Sequence, residues 1–118
     1  DRPRRGNMEV KRDRLFDLSR RCASDGGELF DELAAGRGCR VERIVSVGQA
    51  TPEGEWYDQD GDEWVALLQG EARLLWDNGD ESPLAPGDWL LIPAHVRHRV
   101  VYTSAEPPCV WIAVHFRR

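Results

Sequence analysis

Cysteine is scarce and scattered. Cys22, Cys39 and Cys109 are the only three in 118 residues, with no CxxC pair and an odd total. That excludes a disulfide framework and is the usage of free thiols in a reducing compartment. Long apolar runs are missing too: none approaches the ~20 residues of a membrane-spanning helix, and no signal-peptide pattern precedes the folded region. The expected location is therefore the cytoplasm. An excess of positive charge is also lacking. With 16 basic against 21 acidic residues, a net of -5, no overall field draws the chain to phosphate backbones or anionic lipid. Neither nucleic acid nor membrane is an expected partner. The one basic stretch, "DRPRRGNMEVKRDR" at the start, reads as a solvated arm, and Met8 within it is a candidate natural start. Internal repeats and low-complexity segments are absent, as are helices long enough to cover a parallel sheet.

What is present is enough for one core. A chain of this length with 41% hydrophobic residues makes a single domain. Residues 1–36 read as a polar arm and a short helix. In "SDGGELFDELAAGRG", Leu29, Phe30 and Leu33 share a helical face, Asp25 or a glycine starts the helix and Gly36 ends it. From residue 37 on, the character changes to short strands between turns. "CRVERIVSVG", "EWVALLQG", "EARLLW", "WLLIP", "HRVVYT" and "CVWIAVHF" are the strand candidates, with "SPLAPGD" and "SAEPP" as connections. Asn78-Gly79 in "DNGD" is the pair of a tight hairpin turn in which both positions take positive φ. The pattern is all-β, an antiparallel sandwich or barrel preceded by a short helical segment.

Two motifs make the resemblance specific. Gly87, Pro93 and His98 in "GDWLLIPAHVRH", and Glu63 and Gly70 in "EWVALLQG" followed by "GEARL", resemble the two motifs of the cupin superfamily over residues 41 to 116. That resemblance implies a double-stranded β-helix, the jelly-roll barrel, spanning 37–118. It also implies a site inside the barrel. The departures are equally clear. His95 stands where the family usually has glycine and Tyr102 where asparagine is common. The His-x-His pair of the first motif is replaced within "WYDQDGDE". One spacing puts Tyr57 and Gln59 at those two positions; a spacer longer by one puts Trp56 and Asp58 there, and a one-residue slip reverses which pair points inward.

Alternation shows what would remain inside. If Glu63 points into the barrel, so do Val65 and Leu67, while Trp64, Ala66 and Leu68 point out and need a cover, from the N-terminal segment or a second subunit. His98 shares a face with Val96 and Val100, and His115 with Trp111 and Ala113. The expected site is thus His98, Glu63 and Tyr57 as reacting groups, with His98, Glu63 and Gln59 as a reduced ligand set for a divalent metal (Fe, Mn, Ni or Zn). Trp56 and His115 are expected to touch the ligand. His95, past Pro93, reads as a turn residue, and Asp58, Asp60 and Asp62 as a solvated turn before a strand. A mononuclear centre usually takes at least three protein ligands, so alternatives stand beside the metal. A carboxylate next to a histidine makes a metal-free acid/base pair for an isomerase. A non-catalytic ligand-binding or sensing module, or a barrel packed shut by side chains, needs no chemistry at all. The expected partners are a small molecule and, as is common in cupins, a second copy in a homodimer.

Overall fold

The computed structural model describes residues 9–19 and 27–118. Among them are eight strands: β1 (Leu29–Gly36), β2 (Cys39–Ser46), β3 (Asp62–Gln69), β4 (Ala72–Trp76), β5 (Glu81–Leu84), β6 (Trp89–Ile92), β7 (His98–Thr103) and β8 (Cys109–Phe116). They form two antiparallel sheets, one of five strands in the order β1-β2-β8-β3-β6 and one of three in the order β5-β4-β7. Six of the strands lie where alternating apolar residues between Gly/Pro turns place them. β5 runs through "ESPL", inside a stretch read as a connection.

The expected helix does not form, nor does any other among the described residues, so none is long and apolar enough to cross a membrane. Leu29–Gly36 is a strand paired along its length with β2, from Leu29↔Val45 to Gly36↔Cys39, with a bulge between Glu32 and Ala34. Eight residues are too few for a helix stable by itself, and local preference yields where a neighbouring strand offers a hydrogen-bonded edge. Asp25, the expected helix start, and Cys22 lie outside the described residues.

The hairpin at residues 77–80 forms with a different turn. Gly79 takes positive φ (95°) while Asn78 does not. The Gly79 N–H donates to Trp76 O and the Trp76 N–H to Asp80 O, both at 2.9 Å. The Asn78 side chain accepts from the Asp80 N–H at 2.9 Å. Asparagine therefore serves through its side chain, and glycine alone supplies the left-handed residue.

One end of the sandwich is packed solid. Leu67, Ala72, Leu74, Leu84, Cys109 and Trp111 are buried in a single cluster between the sheets. On the outer face of the large sheet, Arg43 is buried. Its guanidinium donates to Asp31 Oδ2 (2.6 and 3.1 Å) and to the carbonyls of Leu15 (2.9 Å) and Asp17 (2.8 Å). The N-terminal segment is thereby strapped over β2. The other end of the sandwich stays open.

Candidate functional site

A cavity of about 810 Å³ opens between the sheets at that end, with Glu63, His98, Tyr57, Gln59 and His115 among its lining residues. The alternation in β3 is as expected: Glu63 and Val65 line the cavity and Leu67 is in the core. His98 comes from β7 in the facing sheet. Its backbone exchanges hydrogen bonds with Tyr57, N–H to O at 2.8 Å in one direction and 3.2 Å in the other. That isolated bridge decides the register left open by the sequence: Tyr57 and Gln59 line the cavity, whereas Trp56 and Asp58 do not.

His98 is held closely. Its ring stacks on Tyr57 (centroids 5.5 Å apart, 25° between planes) and is tilted against Trp76 (5.8 Å, 49°). Nδ1 lies 2.9 Å from Val96 O, and a carbonyl only accepts, so Nδ1 carries the hydrogen. Nε2 is left with its lone pair, 4.0 Å from Glu63 Oε1 and beyond hydrogen-bond range. The same Glu63 oxygen accepts from the Gln59 amide at 3.0 Å. Burial, then the charges of Glu28 and Glu63, push the Tyr57 hydroxyl up from its ordinary value, so it keeps its proton.

Other sequence expectations fare differently. Trp56 lies outside the lining, its ring approached by the guanidiniums of Arg97 (5.3 Å) and Arg99 (5.8 Å). His115 does line the cavity, bonded through Nε2 to Glu42 Oε1 at 2.9 Å. His95 is the turn residue expected, and its φ of 65° shows why that position suits glycine. Asp58 holds its Nδ1 at 2.8 Å. Asp62 is a correction: it is buried, not solvated, taking the Ala94 N–H at 2.8 Å and the Arg118 guanidinium. Those two donors, Arg118 first, hold its carboxyl below the ordinary value.

Several lining residues escaped the sequence reading, Glu42, Trp111 and Glu28 among them. Glu42 follows from simple alternation in "CRVERIV", where Arg40, Glu42 and Ile44 share the inner face. Trp111 is the tryptophan that faces the cavity. Glu28, two residues before inward Phe30, was hidden by the expectation of a helix.

The motifs, two sheets and interior site now stand together, and the cupin domain profile matches residues 43–115. The chain belongs to the cupin family. Among solved structures, this cupin is 40% identical to a candidate mannose-6-phosphate isomerase of Ralstonia eutropha JMP134. That match has a TM-score of 0.83 and covers 92% of this chain and all 100% of the other. A cupin superfamily protein of Desulfitobacterium hafniense DCB-2 is similar at 21% identity, TM-score 0.71, over 98% and 100% of the two chains. Hydroxypropylphosphonic acid epoxidase from S. wedmorenis, in complex with fosfomycin, shares the fold at 20% identity and TM-score 0.63, over 75% of this cupin and 51% of the epoxidase. No curated protein matches the sequence.

Cupin metal sites are built from the positions held here by Tyr57, Gln59, Glu63 and His98. One imidazole, one carboxylate and an amide whose nitrogen already faces that carboxylate are short of the three strong ligands a mononuclear centre takes. Among the described residues no three His, Cys, Asp or Glu side chains stand close enough to hold a metal ion. The protein donors of this cupin do not fit a tightly held transition metal.

Proposed function

We propose that this cupin binds a small organic molecule in the barrel cavity and exchanges a proton with it through His98, as a metal-free isomerase does. The observation that carries this is the state of His98: buried, with its tautomer fixed by Val96 O and its basic nitrogen left without a partner. A core histidine that serves packing alone has its buried nitrogens hydrogen-bonded as a rule, whereas Nε2 here faces the cavity. Neutral Nε2 takes a proton from a hydroxyl-bearing carbon next to a ligand carbonyl and the electron pair moves onto the carbonyl oxygen, giving an enediolate. The hydroxyl hydrogen then passes to that oxygen, the former carbonyl carbon takes the proton back from Nε2, and a carbonyl forms at the first carbon. Glu63, 4.0 Å away, favours the imidazolium in between. Tyr57, still protonated, donates a hydrogen bond to the developing oxyanion.

A metal-supported reading has one point in its favour: Nε2 and the Glu63 carboxylate are both metal-type donors, and an iron form of the epoxidase is among the structural neighbours. Elemental analysis after incubation with iron, manganese, nickel and zinc separates the two. We expect well under one equivalent of any metal. Near-stoichiometric metal, lost in both His98→Ala and Glu63→Ala, would sink the proton-transfer reading. In the metal-free protein, the expected signature is deuterium uptake from solvent at the carbon next to a ligand carbonyl, abolished in His98→Ala.

A further inference from the structure

We propose that Glu28 is a ligand-recognition carboxylate and that the cavity selects an uncharged or cationic polyhydroxylated molecule over an anionic one. The inference rests on the cavity reading above but not on its proton-transfer step.

Glu28 is set in place by a buried chain whose direction is fixed. The Trp111 indole can only donate, and its Nε1–H reaches Ser46 Oγ at 3.1 Å. The Ser46 hydroxyl, fully buried, then spends its own hydrogen on Glu28 Oε2. One carboxylate oxygen is thus anchored by the protein, while Oε1 makes no hydrogen bond among the described residues. Burial raises the pKa of Glu28 despite the Ser46 bond.

Three donors of the inner wall are already engaged. The Gln59 amide goes to Glu63, the Trp111 indole to Ser46 and His115 Nε2 to Glu42. What remains for a bound molecule is one hydroxyl donor, Tyr57, against a majority of acceptors: Glu28, Glu63 and His98 Nε2. A molecule that satisfies them brings hydroxyl or ammonium hydrogens, and vicinal hydroxyls suit carboxylates well. An anion in the same place would face the carboxylates of Glu28, Glu42 and Glu63 across a partly desolvated space. Arg40 and Arg117 line the cavity as well, but Arg40 Nε is already 3.8 Å from Glu42 Oε2, and the two cations are outnumbered by the carboxylates of Glu28, Glu42, Asp60, Asp62 and Glu63.

Calorimetric titration of the whole chain with mannose, mannosamine and mannose 6-phosphate tests this. We expect the two non-anionic sugars to bind at least tenfold more tightly than the phosphate. Glu28→Gln should weaken mannosamine more than mannose, because the amide keeps an acceptor but loses the charge, and Glu28→Ala should weaken both at least fivefold. Glu28→Gln keeps an acceptor for the buried Ser46 hydroxyl and should leave Tm unchanged, which separates recognition from folding; Glu28→Ala orphans that hydroxyl and should lower Tm. A preference for the phosphate, unchanged affinities in Glu28→Ala, or no binding of any of the three sugars would overturn the proposal. Mannose binding that persists in His98→Ala, with deuterium uptake never detected in the parent protein, supports this inference while removing the proton-transfer reading.

Discussion

Asp62 shows how much a single side chain can hide. In sequence it is the last acid of "DQDGD" and looks solvated; in the fold it stitches the turn at Ala94 to the start of β3 and pairs with Arg118. Its carboxyl titrates below the ordinary 3.8. The unfolded chain therefore binds the proton first, so the stability from Asp62 is complete above that ordinary value and fades as pH falls through the lowered one. Asp62→Asn should unfold more readily at neutral pH and show a shallower acid limb below about pH 4. Thermal melts of both proteins between about pH 2 and 7 check this, and parallel acid limbs would mean the pairing carries no stability. At this scale the sequence was readable wherever strand alternation applied, as for Glu63 and His98. It was silent on residues placed by loops: the inward choice of Tyr57 and Gln59 depends on the bridge to His98, a contact between positions 41 residues apart (98 minus 57).

Among the elements, the turn that carries the chain from β3 in the large sheet to β4 in the small one is the most constrained. Gly70 sits at a φ of 91°, and a Cβ there would lie 2.8 Å from both Cys109 Sγ and Ser104 Oγ and 2.9 Å from Cys109 Cα. Backbone strain of ~1–2 kcal/mol and overpacking of ~1–3 kcal/mol both oppose a side chain. Gly70→Ala should cost about 3 kcal/mol by urea unfolding with an unchanged m-value; a loss under about 1 kcal/mol would show that β8 simply moves aside. The glycine of the first motif is thus explained by close approach of β8. β1 is the opposite case. Its alanines and spaced leucines look helical in isolation, and only β2, joined to it through Arg37 and Gly38, makes it a strand. No local signal reports that edge, which is why Glu28 and Phe30 were missed as cavity residues.

For the molecule as a whole, the two motifs and the strand count made the barrel legible. The open end did not follow from them, since filling depends on side-chain sizes brought together from both sheets. Outside the barrel, Trp89 is 58% and Leu91 44% exposed, beside half-buried Trp64, whose ring centroid is 6.0 Å from that of Trp89. Such a patch is costly to leave wet. A homodimer is the expected outcome: light scattering should give the mass of two 13.4 kDa chains, and Trp89→Asp should halve it. A monomeric parent protein would remove the expectation.

The place of β1 in the sheet order has a thermodynamic corollary. It pairs with β2 alone, yet it carries Phe30, and just ahead of it Glu28, into the cavity wall. A wall built on an edge strand opens at a lower free energy than the central strands do. Any occupant that touches Glu28 must draw on that same equilibrium, because it binds the docked strand and not the detached one. Occupancy of the barrel and amide hydrogen exchange in residues 29–36 then become two readings of one quantity, and a slowing of exchange confined to that strand would mark a ligand before its chemistry is known.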